Sequence, residues 1–494
     1  MYYIGYDIGS SSIKAALVDT KTGEKLAVVT EPETEMEMLS VKMGWAEQNP
    51  NDWWLHVCNA TKKLLAKHNI SNTAVKGIGI SYQMHGLVVV DKNGQSLRDA
   101  IIWCDSRAVE IGQTAFDAIG NEICANQFLN SPGNFTASKL KWVKENQPEI
   151  YKQIDKFMLP GDYIAFKLSN KICTTISGLS EGIFWNFKTN TTATELLDYY
   201  GIETDLIPEI VPTFGMQGVV SKAGSLESGL AEGTPILYRA GDQPNNALSL
   251  NVFNPGEVAA TGGTSGVMYA VTDNLSVKES ARVNNFAHVN HSNEAPKIGK
   301  LLCINCAGIQ YRWLLNNLAV SSYEEMNTLA ESVSVGAEGV TILPFGNGAE
   351  RMLNNKTLGT YVGNLNLNTH TKAHLCRAAI EGIAFSFVYG MEIMKSDGVV
   401  AGVIRAGNDN LFQSKIFSKT VATLLQQDIE IYNTTGAIGA ARACNLHTGD
   451  YITFGNQIMN NDHLTTYSPS TAKEGYDTAY KTWKKELEQL LNHK

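Results

Sequence analysis

Asp7 closes the apolar run YYIGYDI and is followed by Gly9, Ser10, Ser11, Ser12 and Lys14. A glycine-and-serine turn of this type can aim backbone N–H groups and hydroxyls at a phosphate, while the carboxylate beside it can hold a hydrated magnesium ion. Alone the signal is weak, because D-x-G turns are common in ordinary hairpins. A companion changes the balance: Thr261 to Gly266 reads TGGTSG between two short apolar stretches, with Gly263, Thr264, Ser265 and Gly266 in its turn. Two such turns facing one another can grip a polyphosphate from both sides, as a nucleotide site between similar domains requires. A third turn, Ala406-Gly407-Asn408-Asp409-Asn410, lies between a short apolar strand and an amphipathic helix. Gly407 lets a flat ring approach the backbone closely, and the Asn408 and Asp409 side chains either bond that ring or cap the helix.

A second group suits a polyhydroxylated substrate. Met84-His85-Gly86 joins two strand candidates, and Trp103, Asp105 and Arg107 alternate after the strand AII, so all three can point to one side. An indole wall with imidazole, carboxylate and guanidinium groups offers a sugar both apolar contact and hydrogen-bond partners. The competing reading is a core tryptophan beside a structural Asp–Arg ion pair. Asp242 follows the strand Ile236 to Tyr238 and the small pair Ala240-Gly241, with Gln243 next to it. A carboxylate placed there can accept the proton of a substrate hydroxyl, help typically worth about 10² to 10⁴ in rate. The competing reading is a turn-forming Asp before Gln-Pro. Phosphoryl transfer otherwise relies on alignment and charge neutralisation, so one such carboxylate plus a metal ion suffices.

These groups need strands that end in turns. Tyr3 to Ile8 and Ile13 to Val18 read as an antiparallel hairpin, with another strand near Lys25 to Thr30 and a helix at Pro50 to His68 capped by Asn49. Val75 to Ser81 and Leu87 to Asp91 are strand candidates, and Ala137 to Glu145 is a helix. The unit Val258 to Asp273 repeats the grammar of the first hairpin about 250 residues later. That repeat predicts two similar halves, 1–248 and 249–494, with the boundary near Leu248 to Asn254. Helical patterns follow at Lys372 to Lys395, Leu411 to Gln426 and TTGAIGAARA, and a last helix, Tyr476 to Leu491, puts Tyr476, Tyr480, Trp483 and Leu487 on one face. The pattern is that of a mixed α/β protein.

Composition narrows the partners. With 494 residues, 44% hydrophobic and 18% charged, the chain can bury large cores. Lys plus Arg total 40 against 49 for Asp plus Glu, a net charge of -9 that repels nucleic acid and anionic lipid. The N-terminus lacks a signal-peptide pattern and no apolar run reaches membrane-spanning length, so a cytoplasmic location is expected. The eight cysteines are scattered, and the C-x-x-C from Cys303 to Cys306 lies in an apolar stretch that reads as buried thiols rather than a metal or redox site.

Taken in order, DIGSSSIKAALVD, GWAEQNPNDWW, QMHGLVVVD, AIIWCDSRA, GNFTASKLKWVKENQPEIY, AGDQPNNA and TGGTSG resemble the FGGY family of carbohydrate kinases, and within it are most similar to the xylulose kinases. The resemblance covers nearly the whole chain. It implies two ribonuclease-H-like domains of the actin and hexokinase-like ATPase superfamily, closing on a sugar, with ATP held by the two hairpins and Mg2+ as the metal. It implies Asp242 as the base that deprotonates the attacking hydroxyl, and Asp7 together with Asp242 as the carboxylates near the metal. Met84, His85, Trp103, Asp105 and Arg107 fall in the family's sugar-binding segments, with Gln243 beside the base. Two departures are visible. The triple glycine common on the adenine side is here Ala406-Gly407-Asn408, and Gln243-Pro244-Asn245-Asn246 replaces Asn and a glycine-rich continuation, which bears on the substrate's hydroxyl pattern. The implied reaction is phosphorylation of a ketopentose, foremost D-xylulose at O5 to D-xylulose 5-phosphate. The alternatives are a kinase for another ketose or polyol, and a nucleotide-driven switch protein on the same scaffold. Relatives often form dimers, so a homodimer is the assembly to test.

Overall fold

The computed structural model describes residues 1–305, 307–409 and 411–493, so Cys306 and Asn410 lie outside the described residues. Cys303 lies half-buried in a strand. Continuous apolar runs form an antiparallel meander of β1 (Tyr2–Ile8), β2 (Ile13–Asp19) and β3 (Lys25–Glu31). On the far side of β1, β4 (Val75–Tyr82) pairs in parallel. The edge strand β5 (Phe214–Val219) runs antiparallel to β6 (Pro235–Gly241), which pairs in parallel with β4. The sheet order is therefore β5-β6-β4-β1-β2-β3.

The second sheet is built from β7 (Glu257–Gly262), β8 (Gly266–Thr272), β9 (Asn284–Ala287), β10 (Ile298–Ile304), β11 (Val403–Gly407), β12 (Ile429–Tyr432) and β13 (His463–Tyr467). Its order is β9-β10-β8-β7-β11-β12-β13. Without the edge strands the two sheets share one topology: three antiparallel strands, then two in parallel on the other side of the first. The repeated hairpin grammar corresponds to this duplication, the ribonuclease-H-like pattern that the resemblance implies.

The helices mostly lie where periodicity puts them. α1 (Pro50–Lys67) is capped by Asn49, whose side chain accepts from Asn51 N–H. α2 (Thr136–Asn146) follows, and then the short α3 (Ile176–Glu181) and α4 (Asp242–Ser249), two helices that the sequence does not announce. In the second half come α5 (Ala307–Asn317), α6 (Lys372–Ser396), α7 (Lys415–Leu425), α8 (Gly436–Ala443) and α9 (Lys473–His493). α9 buries Tyr476, Tyr480, Trp483 and Leu487, the face its spacing predicts. α7 begins under a Ser414 cap rather than at Leu411, because Leu411 and Phe412 are buried in the preceding turn. Among the described residues no helix is long and apolar enough to cross a membrane.

α4 and α8 each follow the last parallel strand of a five-strand unit, and they meet between the sheets. α8 lies on the first sheet although it comes from the second half. It can do so because β1 and β4 carry glycines: a Cβ on Gly5 would fall 2.0 Å from Ala437 O, and one on Gly79 would fall 1.8 Å from Ala440 O. Where the helices touch, a Cβ on Gly439 would fall 1.7 Å from Ser249 Oγ.

Candidate active site

The first turn is closed by Gly9 N–H donating to Ser12 O at 3.1 Å, and the hairpin register sets Asp7 opposite Lys14. Asp7 Oδ1 accepts from Ser81 Oγ at the end of β4, 3.0 Å away. Ser10 is held twice: its carbonyl accepts from Gln48 Nε2 at 2.7 Å and its hydroxyl from Trp103 Nε1 at 3.3 Å. Ser11 and Lys14 are exposed, and Ser12 is half-buried.

In the second turn Gly262 pairs with Gly266, leaving Gly263, Thr264 and Ser265 at the tip. Thr264 O accepts from Gly308 N–H at 3.1 Å, where α5 begins, and a Cβ on Gly308 would lie 2.0 Å from Gly263 O. Gly266 is buried, and a Cβ there would meet Phe387 at 2.5 Å, so its small size serves packing. The third turn holds the second: Asp409 Oδ2 accepts from Gly262 N–H at 2.7 Å. Burial pushes the Asp409 carboxyl up to about 6. Gly407 ends β11, where an added Cβ would meet nothing within 4 Å, and Asn408 N–H donates to Tyr432 O at 2.9 Å. Backbone access above Gly407 is thus available to a flat ring.

Asp242 is the first residue of α4, directly after Gly241 ends β6. Its carboxyl is pushed up to about 7, first by burial and then by the negative charge of Asp7, against hydrogen bonds from the Gln243 backbone and side chain. Asp7 is raised as well, mainly by burial, while Lys14 and Ser81 act in the opposite sense. α4 is bonded to the second hairpin directly and reaches Asp7 of the first through α8. Asn245 Nδ2 donates to Gly436 O at 2.9 Å, a Cβ on Gly436 would fall 2.8 Å from Asp7 Oδ2, and Asn246 Nδ2 donates to Thr261 Oγ1 at 3.3 Å. Asp242 therefore stands half-open at the junction of the two lobes rather than in a remote core. Beside it, Gln243 Oε1 is buried without a hydrogen-bond partner, an acceptor available to a ligand.

Among the described residues no three or more His, Cys, Asp or Glu side chains are grouped to hold a metal. The Asp7 and Asp242 pair still fits magnesium, which commonly takes one or two carboxylates and completes its shell with water and phosphate oxygens. The mutual repulsion of the two carboxylates is what a dication would relieve.

The sugar segments are divided. Met84 is buried against Gly241, whose Cβ would lie 2.6 Å from Met84 Cγ. His85 occupies the left-handed region at φ 62 and is half-buried. Desolvation, reinforced by Lys139, holds its imidazole down to about 3, so it is neutral. Trp103, Asp105 and Arg107 do not share one side. The strand stops at Ile101 and the chain turns: Trp103 is 52% exposed, while Asp105 is fully buried. Asp105 Oδ2 accepts from Ala46 N–H at 2.6 Å and from Arg107 Nη2 at 2.6 Å. Arg107 also reaches Glu47 at 2.5 Å and lies over the Trp45 ring at 3.9 Å. The physical reason is mutual neutralisation: Asp105, Arg107, Glu47 and Arg98 share one desolvated cluster, where each charge needs the others. Asp105 and Arg107 thus follow the ion-pair reading and anchor the segment around Trp45, leaving Trp103 beside Ser10.

Two buried residues escaped sequence reasoning. Lys139, on α2, donates to His85 O at 3.0 Å and Ile102 O at 2.9 Å, and burial lowers its ammonium to about 7. Glu181, at the end of α3, has its carboxyl raised well above the usual range, first by burial and then by Asp242 and Asp162, against the His85 N–H and the Tyr82 hydroxyl. A lone Glu between apolar stretches in ISGLSEGIFW was the available signal.

The sequence matches the N-terminal domain of the FGGY family of carbohydrate kinases over residues 2–249 and the C-terminal domain of that family over residues 258–447. The chain belongs to the FGGY family and is a carbohydrate kinase. It is 27% identical over 506 residues to a xylulose kinase of Haemophilus influenzae, covering 99% of this chain and 100% of that one. A xylulose kinase of Staphylococcus epidermidis is 30% identical over 398 residues, 80% of this chain and 77% of the relative. The crystal structure of a xyloylose kinase from Brucella ovis superposes with a TM-score of 0.89 at 25% identity, covering 100% of both chains.

Proposed function

We propose that this kinase transfers the terminal phosphoryl group of ATP to a ketopentose, foremost D-xylulose at O5, in a site between lobes 1–248 and 249–494. The observation that carries the reading is the placement of Asp242 at the start of α4, coupled to Asp7, with α4 bonded to the second hairpin at Thr261 and to Gly436, which abuts Asp7. Similarity to xylulose kinases supports the choice of sugar.

Asp242 takes the proton of the attacking hydroxyl as general base, and Gln243 Oε1 accepts from a neighbouring hydroxyl. His85 and Met84 line the sugar side, and Trp103 supplies an exposed indole face. The turns at Gly9 to Ser12 and Gly263 to Ser265 hold the phosphates, with Lys14 adding positive charge, and the open backbone at Gly407 and Asn408 receives the adenine. Asp7 and Asp242 would hold magnesium, which neutralises phosphate charge when bound. Closure of the lobes excludes water and limits loss of ATP to hydrolysis.

Initial rates with D-xylulose, D-ribulose, L-ribulose, L-xylulose and glycerol test the substrate, with D-xylulose expected to give the highest kcat/KM. Asp242→Asn is expected to keep the fold and sugar binding while kcat drops by about 10² to 10⁴. Near-normal turnover in that variant removes Asp242 from the base role, and ATP hydrolysis without any phosphorylated sugar sinks the reading altogether.

A further inference from the structure

α3 ends inside the sugar site. Glu181 is fully buried, and its Oε1 accepts the backbone N–H of His85 at 3.3 Å. The Glu181 carbonyl lies 2.9 Å from His85 Nδ1. A carbonyl can only accept, so Nδ1 carries the proton and Nε2 is left as the ring's acceptor. Left-handed backbone is sparsely populated for a residue such as His85 and persists where neighbours hold it. Glu181 supplies that hold on the N–H side and Lys139 on the carbonyl side.

Glu181 also faces the base. Its Oε2 makes no well-formed hydrogen bond, and a Cβ on Gly241 would approach it to 2.4 Å, so this oxygen sits against the backbone leading into Asp242. The same short helix is tied to the second lobe. Ser177 Oγ donates to Ala287 O at 3.2 Å, and Ser180 Oγ accepts from Ala287 N–H at 2.9 Å. The His85 ring itself packs on Phe286, with centroids 5.2 Å apart.

We propose that Glu181 is a positioning residue for sugar specificity, a role that rests on the proposed function: it fixes the His85 turn and ring so that Nε2 presents an acceptor to a substrate hydroxyl. A hydroxyl must donate there, so a deoxy or keto position at that site is disfavoured. Because α3 is bonded to β9, the alignment of His85 is set from both lobes at once.

The test is a kinetic cycle on the full-length enzyme with D-xylulose and ATP varied separately. Glu181→Ala is expected to raise the sugar KM roughly ten- to hundredfold while moving the ATP KM less than about threefold. Glu181→Gln keeps an acceptor oxygen for the His85 N–H and is expected to recover most of the loss. The double variant Glu181→Ala with His85→Ala should be no worse than His85→Ala alone, because the first effect runs through the second residue. Additive losses, equal effects on both KM values, or a Gln variant as poor as Ala would each overturn the role. Should Glu181→Ala fail to fold by thermal unfolding, Glu181→Asp, one methylene short of His85, replaces it in the same cycle, and additive losses or equal effects on both KM values there would overturn the role in the same way. A wild-type enzyme that phosphorylates no sugar overturns the proposed function and this role with it, whereas an active wild type with additive variants overturns only the role of Glu181.

Discussion

His288 is buried with both ring nitrogens committed: Nε2 donates to Val252 O at 3.0 Å and Nδ1 accepts from the Tyr269 hydroxyl at 3.0 Å. Desolvation holds its pKa down to about 3 from an ordinary 6.5. The folded value lies below the unfolded one, so between these limits the unfolded chain binds a proton that the folded chain refuses. Stability is therefore lost as pH falls below 6.5, at about 1.4 kcal/mol per pH unit from this group. The raised carboxyls of Asp242 and Asp409 act in the opposite sense over this range, so the signature of His288 is a difference: plotted against pH at 7.5, 6.5 and 5.5, the urea midpoints of His288→Gln should show about one proton less acid destabilisation than wild type. Parallel slopes would place the acid sensitivity elsewhere. At this scale the sequence discriminated poorly between residues of one chemical type. Asp242 and Asp105 look equally suited to chemistry, yet Asp105 is consumed by Arg107 and the Ala46 N–H. What separates them is the set of partners brought from distant segments, which spacing does not encode.

Among the elements, α8 is closely seated. Gly79→Ala would push a methyl into the Ala440 carbonyl, and overpacking of that kind costs about 1–3 kcal/mol. A drop of a few degrees in Tm is expected, with a fall in kcat as well, since Gly436 at the start of α8 abuts Asp7. An unchanged Tm would mean that α8 can shift without cost. The hairpins, α1 and α9 were legible because alternation, an Asn cap and 3.6-residue spacing are local signals. α4 was not, since DQPNN has the composition of a turn and becomes helical where α8 and β7 pack on it. The expected shared side of Trp103, Asp105 and Arg107 failed for a related reason: alternation also arises in a turn wrapped around a buried ion pair.

For the molecule as a whole, duplication was visible in the sequence while the seating of α8 on the other half's sheet was not. Hairpin grammar repeats locally, but nothing in TTGAIGAARA says which sheet it covers. The contact is long-range, made through glycines at positions 5 and 79. Expression of residues 1–248 alone should give aggregated protein, and co-expression with residues 249–494 should return soluble material measurable by gel filtration. A well-folded 1–248 fragment would show that its sheet tolerates exposure.

The seating of α8 also sets a timetable for biosynthesis. The strands of the first sheet are complete once Gly241 has been made, but the helix that seals one of its faces ends at Ala443, about 200 residues later. A nascent chain paused before that point presents an uncovered apolar face, so holding chaperones should engage it until α8 has been made and can seat.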